Sequence, residues 1–264
     1  MGGLDDFTKV LLHFDGANGS TTIIDELGHS FSVEGDAQIS TAQSKFGGSS
    51  LYCDGTNDRV YAAHHADFSP GTEDFCAEAW GRIDAINVQQ WLYGKGSSAS
   101  ADKAFDYAHG GSGNGSTFAA IYANGALRTA QAPISTIAAL TWYHFATIRY
   151  GSTLYNTVNG VVKASVAVST WSTSTNSSQL SIGALGNYTS YRWAGYIDEF
   201  RLSIGTARYT SFPFTPPTEA FSDERGGNQA CSGMMMTKKW HALWDKWHNK
   251  NGLYIPKDLG LALT

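Results

Sequence analysis

Thr153–Val158 and Val161–Val168 are two strand-forming segments separated by Asn159-Gly160. Both positions of that dipeptide accept positive φ, as a two-residue type I′ turn requires, and the twist of that turn matches the twist of paired strands. This stretch is therefore committed to an antiparallel hairpin. The same punctuation recurs along the chain. Gly accounts for 29 of 264 residues, aromatics for 13% and charged residues for only 16%, a profile that suits many short strands joined by tight turns. The length allows one large β domain with its own core plus a small appendage.

Alternation with period two marks the strands. Val10, Leu12 and Phe14 alternate with Leu11 and His13, and Leu51 and Cys53 share a face after a polar loop. Phe75, Ala77, Ala79 and Ile83 alternate with Cys76, Glu78, Trp80 and Arg82, so both faces of this segment carry apolar residues, as in a central strand of a two-layer sandwich. Short strands follow at Trp91–Tyr93, Phe105–Tyr107 and Phe118–Tyr122, and the glycine-rich run His109–Ser116 reads as a surface loop. In Gly195–Ile204, the residues Tyr196, Asp198, Phe200, Leu202 and Ile204 fall on one face. That face is a core face, so Asp198 points inward unless a bulge turns it out. A buried carboxylate needs a cation, an arginine or several backbone N–H donors to offset its desolvation.

Past Phe221 the pattern changes. Residues 222–233 read as a linker, and beyond it Met236, Trp240, Leu243, Trp244 and Trp247 recur with helical spacing. Asn251-Gly252 and Pro256 stop that helix. The expected organisation is an N-terminal arm (1–9), a β domain (10–221), a linker (222–233) and an amphipathic helical tail (234–264). The tail's apolar stripe is a docking segment that must be covered by the sandwich, by a partner protein or copy of the chain, or by a membrane interface; the partner is the expected cover.

The net charge of −5 and the absence of a polybasic groove argue against nucleic acid as a partner. No run approaches a membrane span, and no secretory signal is visible. Cys53, Cys76 and Cys231 lack metal-ligand spacing; the first two are expected to be core thiols. His64-His65 with Asp67 reads as a solvated loop, because adjacent histidines on extended chain face opposite ways.

Six short motifs occur in order: Phe14-Asp15-Gly16; Lys45–Leu51 with Asp54-Gly55; Glu78-Ala79-Trp80; Trp142–Ala146; Val158-Asn159-Gly160; and Gly195 followed by Ile197-Asp198-Glu199. Together they resemble a LamG-like, concanavalin A-like lectin/glucanase domain over roughly Val10–Phe221. The resemblance implies an all-β, two-sheet antiparallel jelly-roll sandwich. The closing run Ala207–Thr210 with Phe214–Pro217 is similar to copies found in bacteriophage virion proteins, often tail-associated. That implies a virion component made in the host cytoplasm.

The sandwich glucanases that share this fold carry Glu-x-Asp-x-x-Glu along one strand. That motif is absent, and adjacent Asp198 and Glu199 face opposite ways, so no enzymatic activity is expected. Relatives implied by the resemblance hold a structural Ca²⁺ between the first Asp-Gly turn and the last strand. Asp15 and Asp198 match those places, with Asp58 a weaker candidate; the alternative for Asp198 is to accept backbone N–H bonds or pair with an arginine. Sugar recognition needs aromatic platforms beside polar groups. Asn187, Tyr188, Tyr191, Arg192 and Trp193 cluster before the last strand, and Trp91, Tyr107 and His109 lie near the glycine-rich loop. Two functions follow: a surface lectin that binds host glycan, or a structural capsid or tail decoration protein that binds none.

Overall fold

A computed structural model describes residues 4–96, 103–110, 115–123, 126–168, 177–186 and 188–225. Their strands, in chain order, are β1 Thr8–Leu12, β2 Ser32–Glu34, β3 Gln38–Ser40, β4 Ser50–Asp54, β5 Arg59–Ala62, β6 Phe75–Ile83, β7 Gln90–Lys95 and β8 Phe105–Gly110. They continue as β9 Ser116–Ala123, β10 Ala126–Gln131, β11 Trp142–Tyr150, β12 Thr153–Val158, β13 Val161–Ala167, β14 Leu180–Ile182 and β15 Ala194–Ile204. No α-helix occurs among the described residues; one 3₁₀ turn spans Ala66–Phe68. The linker from 226 onward and the tail stripe Met236, Trp240, Leu243, Trp244 and Trp247 lie outside the described residues.

The strands form two antiparallel sheets. One has the order β13-β12-β11-β6-β15-β4-β3, with β1 also paired to β15; the other has the order β10-β9-β8-β7-β14-β5-β2. β15 is the longest strand and the hub of the first sheet. Its early residues pair with β4 through Ala194–Ile197, while Phe200–Ser203 pair with β1, and β6 runs along its other side. The Asn159-Gly160 hairpin forms as its sequence demands, with Val158 opposite Val161 and both turn residues at positive φ, 50° and 75°.

The core lies between the sheets. Phe75, Ala77 and Ala79 from β6, Phe145 from β11, and Phe200 and Leu202 from β15 pack against Tyr93, Phe105, Tyr107 and Ile121 from the other sheet. Each large apolar side chain fully buried here contributes about 1.5–3 kcal/mol. Several polar side chains within this layer are matched. Asn156 donates to Thr117 O and Ala130 O, each at 3.1 Å, and accepts from Tyr107 Oη at 2.7 Å, tying β12 to the opposite sheet. Tyr93 Oη reaches Ala77 O at 2.6 Å. Such satisfied bonds avoid the desolvation cost of a buried orphan.

The phase of β15 departs from simple alternation. A bulge between Asp198 and Arg201, with Glu199 at φ 53°, places both Ile197 and Phe200 in the core. The residues between them are thereby re-aimed. Asp198 pairs with Trp80 and Tyr196 with Arg82 on the sheet's outer face, so the expected inward face of Tyr196 and Asp198 is corrected by one extra residue.

That outer face is covered by the chain itself. Tyr209, Phe212 and Phe214 pack over Cys76, Ala146 and Ile148, and Tyr209 stacks on Phe214 with ring centroids 3.6 Å apart. Beneath them Glu78 is fully enclosed. Its carboxylate accepts from Arg201 Nη2 (2.6 Å), Arg201 Nε (2.9 Å), Tyr209 Oη (2.7 Å) and His144 Nε2 (3.0 Å). Burial alone would raise its pKa; Arg201, His144 and Tyr209 reverse that and hold it at about 2. Cys76 lies under this cover while Cys53 lies in the core between the sheets, and both thiols are free.

Candidate functional site

The outer face of the second sheet is organised differently. Trp91 on β7 points away from the core, because a register shift between Trp91 and Tyr93 sends Leu92 and Tyr93 inward together. Around Trp91 lie Ala108 on β8, Leu185, Phe118 on β9 and Tyr188. Tyr188 meets the Trp91 ring edge-on at 5.4 Å, Tyr191 lies 5.6 Å from it, and the two tyrosines are 6.0 Å apart. Trp91 is 5% exposed, whereas Tyr191 is 47% exposed. Tyr191 is held at the rim by its own backbone: its φ is 61°, and its carbonyl accepts from Trp91 N at 3.0 Å. A left-handed tyrosine costs energy and persists only where its surroundings enforce it.

Polar groups lie against the same ring. Trp91 Nε1 donates to Asp106 Oδ2 at 3.2 Å, and Lys103 Nζ binds the same oxygen at 2.9 Å while standing 5.5 Å from the Trp91 ring centre. Asp106 Oδ1 has no partner among the described residues. A buried indole is thus backed by a charged pair and roofed by two tyrosines, and of these rings Tyr191 is the one that offers an exposed aromatic surface, the kind that can stack on the C–H face of a sugar.

Of the eight residues expected to contact sugar, Trp91, Tyr188 and Tyr191 are brought together. Asn187 lies outside the described residues. Tyr107 and Trp193 belong to the core: Tyr107 bonds Asn156, and Trp193 is 1% exposed and packs 6.4 Å from Phe145. In each case the inward phase of its segment decided the placement. Arg192 is buried and bonds Glu34 Oε1 at 3.1 Å, and burial lowers its pKa. His109 is buried with Nδ1 3.0 Å from Val88 O, and burial lowers its pKa too. Neither is presented to solvent. Lys103 and Asp106 joined the patch without a motif to announce them. Asp106 was readable only from alternation, since it sits between inward-facing Phe105 and Tyr107.

The three candidate metal ligands separate as well. Asp58 is spent on backbone: Oδ1 accepts from Asp36 N at 2.6 Å and Oδ2 from Asp54 N at 2.8 Å, holding two turns together. Asp198 is buried beneath the 45–47 loop. Its Oδ2 accepts from Lys45 N (2.7 Å) and Phe46 N (3.1 Å), while Oδ1 has no partner among the described residues. Burial, helped by the charges of Glu199 and Asp15, raises the Asp198 carboxyl to about 8 against those two N–H bonds. Asp15 stands over Gly47 of the same loop, where a Cβ would strike its carboxylate, so only glycine fits there. Asp15 also lines a cleft of about 180 Å³ with His13, Glu26 and Asp223. The pairing of a proton-hungry buried carboxylate with nearby acids fits a hard cation.

With this geometry established, relationships to known proteins can be stated. The family model described as the concanavalin A-like lectin/glucanases superfamily matches residues 54–206, and the chain belongs to that superfamily. The fold resembles the binding domain of Paraclostridial Mosquitocidal Protein 1 (TM-score 0.58, 12% identity, 92% of this chain and 53% of that one). It also resembles the botulinum neurotoxin serotype G binding domain (TM-score 0.57, 14% identity, 76% and 48%) and the receptor binding domain of botulinum neurotoxin D (TM-score 0.55, 14% identity, 83% and 50%). The chain thus spans about half the length of these solved domains. At such identity the likeness is one of fold. No curated protein matches the sequence. No helix among the described residues is long and apolar enough to cross a membrane.

Proposed function

We propose that the chain is a non-enzymatic, lectin-like virion surface protein whose second-sheet outer face binds host surface carbohydrate. The observation that carries this reading is the strained, half-exposed Tyr191 set beside Tyr188 over an outward-facing Trp91. Membership of a lectin/glucanase superfamily and the fold shared with toxin binding domains support a recognition role. A non-enzymatic role is supported by the absence of the glucanase Glu-x-Asp-x-x-Glu pattern from the sequence and by the commitment of Glu78 to Arg201, His144 and Tyr209. The virion setting rests on the likeness of Ala207–Pro217 to phage-borne copies. On this reading the tail stripe from Met236 to Trp247 joins the domain to other virion proteins or to copies of itself.

Asp198 and Asp15 would hold a structural Ca²⁺, which would supply the positive charge that Asp198 Oδ1 lacks and tie β15 to the turn after β1. The test of the main reading is binding of the purified protein to bacterial surface polysaccharide and to a broad glycan array. Tyr191→Ala should weaken any such binding by roughly 1 kcal/mol, about fivefold, without unfolding the domain. An array without a hit at millimolar sugar would favour the structural decoration role instead.

A further inference from the structure

We propose that His29, His65 and Asp67 form a zinc-class metal site, built from residues that the aromatic patch does not use. The three residues come from two loops: His29 from the segment joining β1 to β2, and His65 and Asp67 from the 3₁₀ turn after β5. Their ligand atoms all lie within 4.8 Å of one another. Asp67 Oδ2 is 3.3 Å from His29 Nε2 and 3.4 Å from His65 Nδ1. A tetrahedral ion with bonds of about 2.0–2.1 Å places its ligands about 3.3–3.4 Å apart, so these two spacings are edges of such a tetrahedron.

Hydrogen bonding orients both rings toward this point. Asp25 is buried, and its carboxylate already accepts from Leu11 N (2.9 Å) and His29 N (3.0 Å). His29 Nδ1 therefore donates its proton to Asp25 Oδ2, at 2.7 Å. That leaves His29 Nε2 as an acceptor unless the ring takes a second proton. His65 Nδ1 accepts from Asp67 N at 3.2 Å, so its ring is turned toward the same point with a deprotonated nitrogen, and an ion would take the place of that N–H bond. Two imidazole nitrogens and a carboxylate oxygen are thus gathered at one point. A cation resolves that arrangement. Asp25 behind His29 is the carboxylate–histidine–metal pattern that fixes the ring and raises its basicity.

The donor set selects the metal class. Two imidazoles exclude Ca²⁺ and Mg²⁺, and an N₂O set suits Zn²⁺. Phe68, fully buried, packs 4.8 Å from the His29 ring and 5.8 Å from that of His65, which fixes one wall of the site. The side chains of His65 and Asp67 are 54% and 43% exposed, so an ion can enter and keep a position open for water or an outside ligand. An ion there would clip the long β1–β2 segment to the turn after β5.

The test uses the full chain without a histidine tag, titrated with Zn²⁺ by calorimetry and with Co²⁺ by visible absorption. One ion per chain at micromolar affinity, a Co²⁺ d–d band and a melting temperature raised by on the order of 5 °C at saturating Zn²⁺ are expected. His65→Gln and Asp67→Asn, both at accessible positions, should each weaken binding at least tenfold, and His29→Gln should do the same. His64→Gln, next to the site but not part of it, should leave binding unchanged. Absence of binding by the unaltered chain at millimolar Zn²⁺, or wild-type affinity in His65→Gln and Asp67→Asn, would overturn the site and leave His29 as a structural bridge between Asp25 and Asp67.

Discussion

The two outer faces of the sandwich are covered in opposite ways. On the first sheet, the outward side chains of β6, β11 and β15 lie under the chain's own segment 207–221, and its charges are consumed by Glu78. On the second sheet, Trp91 is roofed by loop tyrosines whose rim ring, Tyr191, is half exposed. Both faces join aromatics to buried charge. In the first, the Glu78 carboxylate is answered within the chain and the rings over it are stacked shut, while Asp198 further along β15 keeps one oxygen unanswered among the described residues. In the second, one carboxylate oxygen of Asp106 is unanswered among the described residues and the rings stay open on one side. The lesson is that neither residue type nor an unanswered carboxylate oxygen separates the two faces here; exposure of the rim ring does, Tyr191 being half exposed and Tyr209 buried.

The comparison breaks most decisively at Glu78. Glu78→Gln strips the buried charge that Arg201 and His144 face, which typically costs 3–5 kcal/mol when one partner of a buried pair is removed. Urea unfolding should show that loss, and a change under about 1 kcal/mol would mean that the cover is held by its rings alone. Acid should act on the same group. Glu78 titrates at about 2 in the folded chain against an ordinary 4.5, so its contribution is full above pH 4.5. That contribution disappears as pH falls through 4.5 toward 2, and on the order of 3 kcal/mol is at stake. Melting curves from pH 6 to 2 should therefore fall steeply in the wild type and less steeply in Glu78→Gln. A smaller effect is expected from calcium. Chelator at fixed ionic strength should lower the melting temperature by a few degrees, and Asp198→Asn should remove the difference. Equal melting with and without chelator in the wild type would discard that ion.

Much of this contrast was written in the sequence, though unevenly. The all-β sandwich followed from alternation and from Asn159-Gly160. The motifs that carry the family resemblance turn out to be structural: Glu78, His144, Arg201 and Tyr209 all meet on the covered face. Alternation failed at β15 and β7, where single-residue irregularities re-aimed Asp198 and Trp91; a bulge has no dependable signature in the residues that form it. Aromatic residues named as sugar contacts divided for a similar reason. Tyr188 and Tyr191 sit in a loop and stayed near the surface, whereas Trp193, two residues on, is already entering the sandwich. His65 and Asp67 read as a solvated loop because the third member of the cluster, His29, lies more than thirty positions earlier and only the packing of two loops joins it to them.

The central claim is that one outer face holds the fold while the other recognises sugar. It is tested most directly by measuring melting temperature and polysaccharide binding together for Glu78→Gln and Tyr191→Ala. Glu78→Gln should melt well below the wild type yet bind normally, per folded molecule, at a temperature where it is folded. Tyr191→Ala should melt within a degree or two of the wild type and bind about fivefold more weakly. Normal binding by Tyr191→Ala, or equal loss of binding in both variants at matched folding, would contradict the account.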